Sequence, residues 1–342
     1  MKRILLLYTG GTIGCEGQPL APMTAERFSS TLAGQGLLPG GCELRALPQP
    51  LDSADMQPTD WLDIASALLA AWSDFDGFVV LHGTDTLAFS AAALSYLLPG
   101  LDKPVVLTGS QHPLLAAMSD APRNLADAIA VASTPGLYEV CVCFAGQILR
   151  GNRCVKRSAA ELDAFASPNW PLLGAVSEGG VVLNAQALLA AHSAPFDAED
   201  AGAGFVAMRE AMAPVWGVHL HPGFPSGLMN AALALPDAPS GWVLACYGSG
   251  NAPQQPDFLA ALQAAHAQGV VLVAVTQTGH GSVSLSSYVT GAGLSAAGVV
   301  AGRDMTLPAA LVKLQLLLAR GFSPAETAAR MLEPVAGELS PV

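Results

Sequence analysis

The sequence carries little charge. Only 12% of its 342 residues are Asp, Glu, Lys or Arg, with 15 Lys and Arg against 27 Asp and Glu. A formal net charge of -12 offers no attraction to a phosphate backbone, so no nucleic-acid partner is expected. Long apolar runs are also missing. Even "VVLVAV", 270–275, stops at Thr276 and Gln277, far short of a bilayer's thickness, and no membrane partner is expected. The opening "MKRILLLY" breaks at Thr9, Gly10 and Gly11, too early for the apolar region of a signal peptide, and reads as a first strand. Paired cysteine spacing is absent as well. Cys15, Cys42, Cys141, Cys143, Cys154 and Cys246 form no CxxC, and Cys141 and Cys143 fit one face of a strand. Reduced structural thiols in a cytoplasmic protein are the expectation.

Several motifs are absent too. The glycines of "GGTIG" lack the G-x-G-x-x-G spacing of a dinucleotide loop, and no Gly-Lys-Ser/Thr ending makes a P-loop. His219 and His221, in "HLHPG", fit one strand face, but no HExxH or comparable cluster accompanies them. "YGSGN" around Ser249 lacks the G-x-S-x-G spacing of a serine elbow. No metal or cofactor is therefore expected. Internal repeats, heptads and low-complexity tails do not occur either.

What is present is apolar bulk arranged in short runs. With 51% hydrophobic residues, a chain of this length is expected to build two cores. "FVVLHG" (78–83), "PVVLTG" (104–109), "VCVCFAG" (140–146), "WVLACYG" (242–248) and "VVLVAVTQTG" (270–279) read as parallel strands buried on both faces. Between them, Thr59 is expected to cap a helix in which Trp61, Ile64, Leu68 and Trp72 recur at helical spacing. "SPAE", 323–326, has the serine, proline and glutamate of a capped first turn and predicts the last helix. His266 falls late in a helix begun near Pro256, where a structural role suits the dipole. Strand, helix, strand in this order implies a doubly wound α/β architecture with ligands at the carboxyl ends of the strands. Periodicity fades between about 175 and 213, before "VWGVHLHPG", so the domain linker is placed there.

Four loops at such strand ends hold reactive groups. Thr12 follows two glycines, and as a residue in isolation it belongs to a phosphate-cradling loop or an ordinary glycine turn, or is a nucleophile. Thr84 and Asp85 stand side by side in "LHGTDTLAFS" (81–90), "LTGSQHP" follows at 107–113, and Lys156 ends "RGNRCVK" (150–156). An ammonium near Asp85 would hold that carboxylate ionised. Each group also has an ordinary use, since threonine and aspartate bond within turns and a single lysine is usually solvated.

Taken together the segments resemble the L-asparaginase family, in its bacterial type I, cytoplasmic branch. The matching stretches are "YTGGTIG" (8–14), "LDSADM" (51–56), "DGFVVLHGTDT" (76–86), "KPVVLTGSQ" (103–111), "RGNRCVK", "FASPN" (165–169), "YGSGNAPQ" (247–254) and "DMT" (304–306). They run in order over nearly the whole chain. The resemblance implies two doubly wound domains, a larger amino-terminal flavodoxin/Rossmann-like one over 1–190 and a smaller carboxyl-terminal α/β one over 214–342, with the linker at 191–213. It implies Thr12 as nucleophile, Thr84, Asp85 and Lys156 as a second triad, and Asp52, Ser53 and Ala54 as the grip on a substrate's α-amino and α-carboxylate groups. Asn251 matches the asparagine that reaches into a neighbouring subunit's site. A homo-oligomer with shared sites, a dimer or a dimer of dimers, is implied with it.

The implied activity is hydrolysis of L-asparagine to L-aspartate and ammonia through a β-aspartyl ester on Thr12. Two rivals stand beside it. The glutamine-hydrolysing subunit of a transfer-RNA amidotransferase shares both threonine motifs, although it normally carries an extra amino-terminal domain, whereas here a strand is expected from residue 4. A non-catalytic asparagine-binding sensor would keep the pocket and release no ammonia. The sequence also departs from the family. Leu20 stands near the place of the loop tyrosine that supports the nucleophile. Val155 and Thr278 replace the threonine and cysteine of the second asparagine pocket described for some type I members, so weak or absent cooperativity is expected. Among the five tyrosines, Tyr288 in "VSLSSYVTG" is the best-placed substitute for the missing phenol, reaching Thr12 from an adjacent protomer; packing at the interface is the alternative.

Overall fold

The computed structural model describes residues 2–192, 194–285 and 289–341. The chain divides into two compact units, Met1–Ala203 and Gly204–Val342. Residues 191–213 include two short helices, Ala198–Gly202 and Phe205–Glu210, one on each side of that division.

The first unit is built on an eight-stranded sheet. Its strands are β1 (Ile4–Gly10), β2 (Cys42–Leu51), β3 (Gly77–Leu81), β4 (Val105–Thr108), β5 (Val140–Phe144), β6 (Gln147–Arg150), β7 (Gly174–Ser177) and β8 (Gly180–Leu183). Their spatial order is β8-β7-β6-β5-β4-β3-β1-β2. β2, β1, β3, β4 and β5 run parallel, while β6, β7 and β8 extend the edge in antiparallel fashion. The central strands read as continuous apolar runs because both of their faces are covered: β1 and β3 are buried at every position. On one face Leu6, Tyr8, Val79, Val106 and Cys141 pack with Phe28, Leu125 and Val131, and the Tyr8 ring stacks on Phe28 at 4.2 Å.

Helices Pro58–Leu69, Leu87–Leu97 and Ala121–Ala132 supply the crossovers. The first of them begins two residues before the sequence expectation. Gln57 is its N-cap, in a capping box with Asp60, and Thr59 lies in the first turn instead, because Pro58 can occupy the first helical position without an N–H. The order β2-β1-β3-β4-β5 reverses direction between β1 and β3, which opens a crevice beyond the carboxyl ends of those two strands.

The second unit holds a four-stranded parallel sheet in the order β9 (Val215–His219), β10 (Gly241–Cys246), β11 (Val271–Thr276) and β12 (Val300–Ala301). β9 ends at His219, so His221 lies past the strand rather than beside it on one face. Trp242, Leu244, Leu272 and Ala274 form a core with Phe258, Leu262 and Leu294. The last helix, Pro324–Met331, has the Ser323–Glu326 capping box that its sequence predicts. The tail that follows is anchored by a buried ion pair. Lys313 Nζ lies 2.6 Å from Glu338 Oε1, with the two side chains 1% and 0% exposed. The two α/β bodies expected from the sequence are the ones observed, with the antiparallel edge of the first sheet added. Among the described residues, no helix is long and apolar enough to cross a membrane.

Candidate active site

Four loops meet at the switch point because glycines let their backbones touch. Gly10 and Gly11 leave β1 with φ of 112° and 82°, in the region that side chains disfavour. A Cβ on Gly11 would sit 2.2 Å from Gly83 N, and one on Gly10 would sit 2.1 Å from Leu51 O. A Cβ on Gly83 would meet Ser53 Oγ at 2.4 Å, and one on Gly109 the His82 carbonyl oxygen at 2.2 Å. The turns after β1, β2, β3 and β4 are therefore in close contact. Hydroxyls reinforce the strand ends: Thr9 donates to Leu81 O at 3.0 Å, and Thr108 to Cys143 O at 2.7 Å.

Thr12 opens the short 3-10 turn Thr12–Gly14 and is half-buried. Behind it, a Cβ on Gly14 would lie 2.2 Å from Tyr8 Oη, and the Tyr8 hydroxyl donates to Gly14 O at 3.3 Å. Burial raises the Tyr8 pKa, so this phenol holds its proton. Leu20 stands in the hairpin beyond, largely exposed. Asp52 caps the next turn, Ser53–Asp55, by accepting from Ala54 N at 3.0 Å. Ser53 is buried, and its carbonyl accepts from the Thr86 hydroxyl at 2.7 Å. The turn that carries Asp52, Ser53 and Ala54 is thus tied to the loop that carries Thr84 and Asp85.

Lys156 reaches that same loop. It lies in a two-residue ladder, Val155–Lys156 against Phe165–Ala166, that follows the 3-10 turn after β6. Its Nζ donates to Thr84 Oγ1 at 2.8 Å and to Asp85 Oδ1 at 2.6 Å. Asp85 is 65% exposed at the side chain and Lys156 18%, so the pair opens toward solvent on the carboxylate side. Since its oxygen already accepts from Lys156, the Thr84 hydroxyl is left to donate, and Gln111 Oε1 lies 3.4 Å away.

The structure thus brings Thr12, Asp52, Ser53, Ala54, Thr84, Asp85 and Lys156 onto one edge of the first unit. Asn251 belongs to the second unit. It closes a tight turn after β10, exchanging backbone bonds with Tyr247 at 2.9 Å in both directions. Tyr288 lies outside the described residues. Among the described residues there is no group of three or more His, Cys, Asp or Glu able to hold a metal.

Sequence reasoning missed Gln111. Its backbone N–H and that of His112 both donate to Asp120, at 2.9 Å each, and its side chain donates to Glu161 O at 3.0 Å. It missed His82 as well. Both lie one to three residues past a strand end, in loops that already hold reactive groups, and that position was the available signal.

Comparison with known proteins decides the family. The "Asparaginase, N-terminal" model matches residues 3–189, and the "Glutaminase/Asparaginase C-terminal domain" model matches 215–331. The chain belongs to the asparaginase family and is a hydrolase acting on linear amides. It is 38% identical to L-asparaginase 1 of Escherichia coli K12, over 99% of this chain and 98% of that one. Its structure matches L-asparaginase I from Vibrio cholerae with a TM-score of 0.84 at 34% identity, covering 99% of both chains. The thermostable L-asparaginase from Thermococcus kodakarensis matches at 0.86 and 32% identity, over 99% and 100%.

Proposed function

We propose that this family member is an L-asparaginase that hydrolyses L-asparagine to L-aspartate and ammonia with Thr12 as nucleophile. The observation that carries the reading is the Lys156 ammonium bonded to both Thr84 and Asp85, on a loop whose Gly83 is packed against the Gly11 turn that presents Thr12. The full-length relatives named L-asparaginase support the substrate. Asp52, Ser53 and Ala54, on the neighbouring turn, hold the α-amino and α-carboxylate groups.

In this reading Thr12 Oγ attacks the side-chain carboxamide carbon, and the hydroxyl proton passes to the departing nitrogen. The C–N bond breaks, ammonia leaves, and a β-aspartyl ester remains on Thr12. Water held by the Thr84, Asp85 and Lys156 group then adds to the ester carbon, and aspartate leaves as the hydroxyl re-forms. Water is the only co-reactant, so the reaction needs no cofactor. Asn251 of an adjacent protomer completes each site, which makes the working unit a homo-oligomer. The six unpaired cysteines suit the cytoplasm.

The test is ammonium release from L-asparagine and L-glutamine side by side, with Thr12→Ala and Lys156→Ala as controls. Asparagine turnover should dominate, and each variant should lose at least about a hundredfold in kcat while keeping its circular dichroism. Comparable glutamine turnover would favour the amidotransferase-type role. A relative of that kind, a glutamyl-tRNA(Gln) amidotransferase subunit from Methanopyrus kandleri, is 31% identical over 99% of this chain and 75% of its own length. Asparagine binding without ammonium would leave a sensor.

A further inference from the structure

His82 is fully buried immediately after β3 and touches the turns that build the site. Its backbone N–H donates to Thr108 O at 2.9 Å, and its carbonyl oxygen lies against Gly109. Its Nδ1 stands 2.7 Å from Gly83 O. A carbonyl only accepts, so Nδ1 carries the proton. In the neutral ring Nε2 is then an acceptor, and the Ser90 hydroxyl lies 2.8 Å from it. Met56 Sδ packs at 3.1 Å from Nε2 and 3.2 Å from Ser90 Oγ. Met56 itself closes the Ser53–Asp55 turn, its N–H donating to Ser53 O at 3.4 Å.

One imidazole therefore grips two things. Nδ1 fixes the carbonyl of Gly83, the residue on which the Gly11 turn rests and after which Thr84 follows. Nε2 accepts from the Ser90 hydroxyl, and the two together pack against Met56, which closes the turn that carries Asp52, Ser53 and Ala54. We propose that His82 is a positioning residue whose two ring nitrogens serve different parameters: Nδ1 aligns the two threonine loops for turnover, and Nε2 aligns the Asp52–Ala54 turn for substrate binding. This rests on the asparaginase reading of the site.

The division of labour follows from what each turn holds. Thr12 and Thr84 act on the reacting carbon, so a displaced Gly83 peptide costs transition-state stabilisation and lowers kcat. The Asp52–Ala54 turn holds groups of the substrate that do not react. Loosening it weakens ground-state and transition-state binding alike, which raises KM and leaves kcat. A side chain that merely filled space would give neither pattern. Its replacements would lose stability together and change both parameters in step.

Two substitutions separate the nitrogens, since an asparagine amide nitrogen falls near the place of Nδ1 and a glutamine amide near that of Nε2. His82→Gln is expected to lower kcat at least about thirtyfold with KM within about threefold. His82→Asn and Ser90→Ala are expected to raise KM about tenfold and to keep kcat within about threefold of wild type. A second readout does not depend on turnover: nitrogen-15 shifts of labelled histidine should include a neutral ring with its proton on Nδ1 that is missing in His82→Asn, whereas the signal of His221, whose Nδ1 lies 3.0 Å from Pro222 O, should remain. Parallel changes of kcat and KM in the two His82 variants, tracking a shared fall in Tm, would overturn the proposal. So would an Nε2–H tautomer in the wild type. A wild type that releases no ammonium would sink the asparaginase reading instead, and the tautomer would still decide the geometry.

Discussion

Burial without a charged neighbour holds His82 neutral, its pKa lowered from 6.5 to about 4 by desolvation against the opposing bond to Gly83. Its hydrogen-bond partners, Gly83 and Ser90, and the Met56 sulfur packed against its edge are all uncharged. The unfolded chain takes up this proton near the ordinary histidine value, whereas the native protein resists until about pH 4. Between those values the unfolded state binds more protons, so stability falls as pH drops through the window, by about 3 kcal/mol in full. Above it the ring is neutral in both states and adds no slope. Urea midpoints measured between about pH 7 and pH 5 should therefore decline in the wild type and flatten in His82→Asn. An unchanged slope in the variant would assign the acid sensitivity to other groups. The same residue shows what was hidden in the sequence: "LHGTDT" displays a histidine, but its burial and its bond to Ser90 exist only once the helix Leu87–Leu97 folds back over β3.

At the scale of elements, most of the architecture was legible because fully buried parallel strands are uninterrupted apolar runs ended by glycine or threonine. "FVVLHG" and "PVVLTG" became β3 and β4 within a residue or two at each end. The antiparallel edge was not legible, since β6 is only four residues long and its pairing with β5 depends on the reversal at Ala145, where φ is 49°. Nor was the interaction that anchors it. Arg150, the last residue of β6, is buried with its Nε 2.6 Å from Glu139 Oε2, while Nη2 donates to Ala187 O at 2.7 Å. Glu139 Oε1 accepts from Leu189 N at 2.8 Å, and Trp170 lies under the guanidinium at 4.9 Å. Charged residues so far apart in sequence give no local signal of partnership. Because the segment after Arg150 leads to Lys156, this pair sets where that segment leaves the sheet. Glu139→Gln leaves a buried guanidinium without its counter-charge and is expected to cost about 3–5 kcal/mol in urea unfolding. A loss below about 1 kcal/mol would mean that the backbone acceptors alone satisfy Arg150.

For the molecule as a whole, the proposal is that Asn251 of an adjacent protomer completes the site that holds Thr12. Mixing inactive variants separates that arrangement from a self-sufficient protomer. Thr12→Ala lacks the nucleophile and Asn251→Ala lacks the residue lent to its neighbour, so each homo-oligomer should be nearly inactive. In a mixed pair, the intact Thr12 of one subunit meets the intact Asn251 of the other, and the opposite site carries both lesions. Random exchange in equal amounts makes half of the pairs mixed, so roughly a quarter of all sites should be whole. Ammonium release should therefore climb toward about that fraction of wild type after the two inactive proteins are dissociated and reassembled together. If native mass spectrometry, with one variant isotope-labelled, shows that mixed oligomers form and activity stays at the level of the parents, each protomer uses its own Asn251 or does without it, and the shared-site reading fails.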